Sequence, residues 1–168
     1  MYRIIALAEA VGAEILVVHL STKEAIEEVR RAQVRGVPVL GETCPQYLVL
    51  SDADMDRPGF EGAKFVFSPP ARSLATQEFI WEGITEGVIQ AYHSDHAGYR
   101  FNDPEGKKVH GDTAPFNRIP NGVPGLETRL PILFSEGFRK GRIELRRFVE
   151  RIQRDAQLQA LACRRLGG

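Results

Sequence analysis

The sequence predicts an α/β fold in the form of a partial (β/α) barrel. Short apolar runs alternate with helical patterns along the chain, and this alternation favours a largely parallel sheet. Two of the runs, 14–18 and 88–92, lead into side chains that can bind metal, at His19 and at Asp95. Active sites of (β/α) barrels lie where the strands end. A complete barrel takes about 250 residues, so we expect these 168 residues to form only part of one.

The helices are predicted from the spacing of apolar residues and from the residues that follow it. Residues 2–11 carry apolar side chains at helical intervals, and Gly12 follows as a stop. Ser21 and Glu24 form a predicted capping box, in which each side chain satisfies a free backbone N–H group of a second helix ending at Gly36. Three further helices are predicted at 76–86, at 126–134 with a break at Pro131, and at 145–161.

Four short strands are predicted between these helices. They cover residues 14–19, 37–44, 65–67 and 88–92. Up to residue 92 the order of elements is therefore αβαββαβ, as in a parallel sheet with helical crossovers. The segment 98–124 has no regular pattern, and an irregular stretch of that length in a compact domain is usually functional or disordered.

The overall composition argues against several classes of partner. The chain has 22 basic and 22 acidic side chains, so its net charge gives no reason to expect nucleic acid or an anionic membrane. No apolar run approaches the ~20 residues of a membrane-spanning helix, and the N-terminus does not resemble a secretory signal. Cys44 and Cys163 belong to no Cys-x-x-Cys pair, which predicts two reduced thiols. These features predict a cytoplasmic protein.

Metal-assisted chemistry is the leading enzymatic hypothesis, because the sequence has no phosphate loop, dinucleotide glycine pattern or serine nucleophile elbow. His19 could ligate a metal through a neutral imidazole, or it could be a core histidine bonded to backbone. Asp95 follows an apolar strand and, if buried, must be paired, hydrogen-bonded or bound to metal; it could instead cap the next segment. Strand alternation predicts that His93 and Asp95 share one face while His96 points to the other.

Five short motifs give the chain a family resemblance. In order along the sequence they are 18–21 (VHLS), 41–48 (GETCPQYL), 68–72 (SPPAR), 94–96 (SDH) and 119–122 (IPNG). Together they resemble the dihydropyrimidinase and D-hydantoinase family of the amidohydrolase superfamily. The resemblance runs from about Arg3 to Glu150, and the last motif favours this branch over the related allantoinases and dihydroorotases.

The resemblance implies a zinc-dependent hydrolase on a TIM-type barrel that opens cyclic amides such as dihydropyrimidines or hydantoins. By motif match, His19 would bind one of two zinc ions, and Asp95 would bind metal and act as general base toward the attacking water. Ser68 and Asn121 match positions whose backbone groups hold the ring amide. The complete protein would be a homo-oligomer acting on a small cyclic amide, with no nucleic-acid or membrane partner.

Other parts of the family's metal site have no counterpart in this sequence. The family's His-x-His pair, carboxylated lysine, further histidine and tyrosine cannot be placed. We therefore expect residues 1–150 to be the C-terminal half of the barrel, and 151–168 to be a helix or tail of undefined structure.

Two hypotheses about function remain open. The first is an incomplete hydrolase with little activity alone, since catalytic zinc usually has about three protein ligands. The second is a non-catalytic scaffold or interaction protein related to this family. The presence of both His19 and Asp95 argues against this second hypothesis.

Overall fold

The computed structural model describes residues 1–153, which form a three-stranded parallel sheet flanked by helices. The strands are β1 (Ile15–Val17), β2 (Val39–Thr43) and β3 (Ile89–Tyr92), in the spatial order β1-β2-β3. The α/β class and the parallel sheet are thus confirmed. The α-helices are α1 (Tyr2–Val11), α2 (Lys23–Val34), α3 (Pro45–Val49), α4 (Asp52–Met55), α5 (Leu74–Glu86) and α6 (Arg129–Ile132).

The longer helices form where apolar spacing coincides with a stop signal. Helix α1 has the predicted bounds and ends at Gly12, whose φ of 66° is the left-handed conformation that glycine adopts without strain. Helix α5 ends in the same way at Gly87, with a φ of 88°. The predicted cap of α2 was wrong by one residue: the Thr22 hydroxyl, not Ser21, accepts the bond from the Ala25 N–H, at 3.2 Å.

The predicted strand at 65–67 was wrong. Residues Glu61–Phe65 form a 3₁₀ helix, and Val66 to Ser68 follow it without joining the sheet. The Val66 carbonyl accepts bonds from the Gly122 N–H and from the Lys107 ammonium instead of from a neighbouring strand. Tertiary contacts therefore override the β propensity of this aromatic and β-branched run.

The core lies between the sheet and two helices. Helices α2 and α5 pack against each other and against β2 and β3. The inward stripe of α2, predicted from its spacing, is buried at Ile26, Val29 and Ala32. Ile80 and Ile84 of α5 are likewise buried.

The segment 98–124 contains one short 3₁₀ helix, Phe116–Arg118, and a single parallel bridge that joins His96 to Val123. Helix α6 includes Pro131 and continues into a π-helix, Leu133–Phe138. A last helix begins at 145 and reaches the end of the described residues at 153. The described residues do not include the predicted continuation of this helix to 161. They also leave out Cys163 and most of the predicted tail 151–168.

The last helix is attached to the sheet through Arg151. Its guanidinium is buried and donates to the carbonyls of Gln90 and Ile84, at 3.1 and 2.9 Å. None of the helices in residues 1–153 has the length and apolar character that crossing a membrane requires.

Candidate metal centre

One potential metal ligand follows each of the three strands. His19 comes two residues after β1, Cys44 directly after β2, and Asp95 three residues after β3. Because the strands are parallel and adjacent, their carboxyl ends lie at the same edge of the sheet. One ligand atom from each of the three side chains lies within 4.8 Å of the other two. The sequence predicted two of these residues; the structure adds the Cys44 thiol between them.

A buried carboxylate, Glu42, lies behind this group. Its side chain is 1% exposed and its Oε2 accepts the backbone N–H of His19 at 2.8 Å. The Cys44 thiol donates to Oε1 at 3.0 Å. The Nδ1 atoms of His19 and His93 lie 3.7 and 3.8 Å from the two carboxylate oxygens. Glu42 thus connects both imidazoles and the thiol.

The backbone at two of the candidate ligands has left-handed torsion angles. His19 has a φ of 59° and Asp95 a φ of 43°, the only positive values among the non-glycine residues that the structure describes. Such conformations cost about 1–3 kcal/mol and cluster at active sites and ligand clamps. The Glu42 bond to the His19 N–H contributes to holding the strained turn after β1.

Burial sets the protonation of the groups around Glu42. It raises the pKa of the Cys44 thiol, and the negative charge of Glu42 raises it further, so the thiol keeps its proton in the metal-free chain. Burial also lowers the pKa of His93, an effect that the Glu42 carboxylate opposes. The cluster therefore combines a neutral thiol with a carboxylate that two histidines approach.

The predicted alternation of faces from His93 to His96 does not hold, because β3 already ends at Tyr92. Asp95 is exposed rather than buried, so the argument from the cost of a buried carboxylate does not apply to it. His96 accepts bonds at Nδ1 from the N–H groups of Gly125 and Leu126, at 3.2 and 3.4 Å. It contributes to loop structure and is absent from the three-ligand group.

Ser68 and Asn121, the two predicted substrate contacts, line one cavity of about 540 Å³. Aromatic and aliphatic side chains, among them Phe60, Phe67 and Ile119, line most of the same space. The structure thus places two segments 53 positions apart in sequence around a common apolar cavity.

Sequence reasoning missed Glu42, Cys44 as a potential ligand, and Lys107. All three are buried. One signal was available for Glu42, because a carboxylate inside a short apolar strand of a parallel sheet is unusual and must have partners. Lys107 follows a polar loop and carries no comparable signal.

No protein-family model matches the chain. Curated relatives include a D-hydantoinase of Rhizobium radiobacter, 47% identical over 148 residues, which cover 88% of this chain and 31% of the relative. A D-hydantoinase of Geobacillus stearothermophilus is 45% identical over 144 residues, or 86% of this chain and 30% of the relative.

Solved structures give the same pattern. The dihydropyrimidinase from Brevibacillus agri superposes with a TM-score of 0.83 at 44% identity, over 89% of this chain and 32% of that one. The D-hydantoinase (dihydropyrimidinase) from a Thermus species superposes with a TM-score of 0.81 at 35% identity, over 89% and 31%. The chain therefore spans about 31% of the length of the relatives it matches.

Proposed function

Because the chain belongs to the D-hydantoinase and dihydropyrimidinase family, we propose that it carries part of the active site of a metal-dependent cyclic amidohydrolase. Residues 1–150 would form the C-terminal half of a TIM-type barrel. The observation that carries the proposal is the meeting of His19, Cys44 and Asp95 at the carboxyl ends of three adjacent parallel strands.

The residues present fit a zinc ion. Imidazole nitrogen, thiolate sulfur and carboxylate oxygen are the three protein ligand types of zinc. We assign His19 and Asp95 as ligands and Cys44 as a third donor. Glu42 supports the proposal, because carboxylates beside a ligating histidine commonly fix its orientation.

The chain's own residues would then divide the hydrolysis of a ring amide between them. A bound zinc ion supplies Lewis acidity, which polarises a carbonyl and lowers the pKa of water. Asp95, whose side chain is exposed, would accept the proton of the attacking water and deliver it to the departing ring nitrogen. Backbone groups of Ser68 and Asn121 would hold the ring amide while leaving its substituent free.

A zinc titration of the 168-residue chain tests the ligand assignment. We expect one ion to bind, and His19→Ala and Asp95→Ala each to weaken binding by about tenfold or more, as loss of a ligand should. The matched control is His110→Ala, which removes an exposed histidine outside the three-ligand group. A chain that binds no zinc, or binds it equally in all four forms, would support the non-catalytic scaffold instead.

Ring-opening activity is measured separately, with dihydrouracil or a 5-substituted hydantoin as substrate and zinc present. We expect little turnover by this chain alone. It spans about 31% of its relatives and offers three candidate metal ligands, fewer than the family's full ligand set. Turnover at the rate of a complete hydantoinase, lost in Asp95→Asn, would overturn the expectation of low activity while confirming the role of Asp95.

A further inference from the structure

The Lys107 ammonium is buried and fully hydrogen-bonded to backbone. The residue is 2% exposed, and Nζ donates to the carbonyls of Val66, Pro120 and Gly122 at 2.8, 2.6 and 2.8 Å. An ammonium group has three N–H donors, so all of them are used. Lys107 therefore has no donor left to contact a substrate or a metal ligand.

The three acceptors belong to the two segments that carry the proposed substrate contacts. Val66 lies two residues before Ser68, and Pro120 and Gly122 are the immediate neighbours of Asn121. The Val66 carbonyl also accepts the Gly122 N–H at 3.0 Å. Lysine is almost never fully buried unless paired, so burial of this one at the junction of two loops requires a structural reason.

We infer that Lys107 is a positioning residue, which holds the segments 66–68 and 119–122 together and so fixes Ser68 and Asn121 around one cavity. This inference rests on the proposed roles of Ser68 and Asn121 in binding a cyclic amide. Charge-assisted hydrogen bonds are about twice as strong as neutral ones. Three of them from a single atom define the relative position of two chain segments that no strand ladder joins.

The same junction is connected to the segment that carries Asp95. The Ala97 N–H donates to the Val123 carbonyl at 3.1 Å. Gly122, with a φ of 137°, packs so closely on Ala97 that an added Cβ would lie 2.4 Å from the Ala97 Cβ. The segment 119–122, which Lys107 holds against 66–68, thus also packs on the loop after β3 that carries Asp95, a candidate metal ligand.

The test compares Lys107→Met with the unsubstituted 168-residue chain. Methionine keeps the length and apolar character of the stem but removes every donor. We expect the Gly122 amide to exchange its hydrogen about tenfold faster or more, and dihydrouracil, added with zinc, to bind about tenfold more weakly. Zinc affinity should be unchanged, and so should exchange at the Leu20 amide, which donates to the Glu42 carbonyl of β2.

The matched control is Lys108→Met, which removes the adjacent, partly exposed lysine and should leave all four measurements unchanged. A purely structural role for Lys107 would instead weaken zinc binding and Leu20 protection together with the rest. Unchanged Gly122 exchange, or unchanged dihydrouracil affinity in Lys107→Met, would overturn the inference.

Two further outcomes are distinguishable. If the unsubstituted chain binds no dihydrouracil, the proposed function fails, and the exchange data alone decide whether Lys107 joins the two segments. If Lys107→Met does not fold, the unsubstituted chain still provides a test: a slowly exchanging Lys107 ammonium resonance with couplings to the three carbonyl carbons supports the inference, and a rapidly exchanging one contradicts it.

Discussion

Glu42 shows how much one residue can determine in this site. It accepts the backbone N–H of His19 and the Cys44 thiol, and both His19 and His93 approach its oxygens. A carboxylate placed behind a ligating imidazole fixes the ring and raises its basicity. The negative charge of Glu42 would therefore strengthen the proposed metal site, although Glu42 is not one of its three candidate ligands.

We predict that Glu42→Gln weakens zinc binding by about 10- to 100-fold, the usual cost of losing such a partner. Glutamine keeps the size of the side chain and can still accept the His19 N–H, so the loss would reflect the charge. A competition titration with a zinc chelator measures the effect, and Glu24→Gln, on the exposed face of α2, is the control. Equal affinity in both variants would show that Glu42 does not influence the metal.

Titration of Lys107 should make the free energy of unfolding depend on pH. Burial lowers its pKa from 10.5 to about 8 in the folded chain. Between about pH 8 and 10.5 the unfolded chain therefore binds the proton that the folded chain has released, and the free energy of unfolding rises with pH. Below pH 8 both states are protonated and this contribution is constant.

Urea unfolding at pH 7.5 and pH 10 measures the change, and Lys107→Met should lack the rise. Comparison with this variant is needed because two buried tyrosines act in the opposite direction. Burial raises the pKa of Tyr47 and Tyr92 in the folded chain. Above about pH 10 their hydroxyls ionise in the unfolded chain but not in the folded one, so the free energy of unfolding falls. Identical pH profiles for the two proteins would rule out a lowered pKa at Lys107.

At the level of single residues, the sequence identified the candidate metal ligands His19 and Asp95 but not the buried polar residues Glu42 and Lys107. His19 and Asp95 were found because apolar runs lead directly into them. Glu42 and Lys107 depend on partners 23 and 41 positions away, at His19 and Val66. No local pattern reveals such partners.

At the scale of elements, the start of α2 provides a sharp comparison. Thr22 has extended backbone angles, φ −135° and ψ 150°, and its hydroxyl caps the Ala25 N–H. Ser21, which precedes it, is buried and does not serve as the cap. We predict that Thr22→Ala lowers the free energy of unfolding by about 1 kcal/mol.

The measurement is urea unfolding of Thr22→Ala beside Thr22→Ser. Serine keeps the capping hydroxyl and should recover most of the loss. If Thr22→Ala and Thr22→Ser are equally destabilised, the cap is not the source of the stability. This comparison separates the hydroxyl from the methyl group that threonine also carries.

Element prediction succeeded where periodicity and a stop signal agreed, as in α1 with Gly12 and α5 with Gly87. It failed where tertiary partners decide. Residues 65–67 have the composition of a strand, yet the Val66 carbonyl is taken by Gly122 and Lys107. The strand at 88–92 was placed correctly, but its end at Tyr92 removed the alternation expected for His93 and Asp95.

At the scale of the whole molecule, the open edge of the sheet and helix α1 both leave apolar side chains exposed. Strand β1 pairs only with β2 among residues 1–153, and Leu16 and Val18 beside this edge are exposed. Helix α1 adds exposed apolar side chains at Tyr2, Ile4, Leu7 and Val11. Apolar patches and open sheet edges of this kind promote association.

We predict that the purified chain self-associates in a concentration-dependent way, and that Leu7→Lys combined with Val11→Lys reduces the association. Sedimentation velocity over a range of concentrations measures it. The control is Val34→Lys, which adds charge at an exposed apolar side chain on α2. A monomer at every concentration, or equal association in all three proteins, would contradict a role for the α1 surface.

The positions of the three candidate ligands have a consequence for the chain as a whole. His19, Cys44 and Asp95 are separated by 25 and 51 positions in sequence. An ion held by all three would act as a cross-link that closes two large loops, in the way that disulfides and metal clips restrict an unfolded polypeptide. Binding at this one edge of the sheet would then stabilise every element between β1 and β3, so the ion would serve as a folding determinant of the domain as well as a participant in its chemistry.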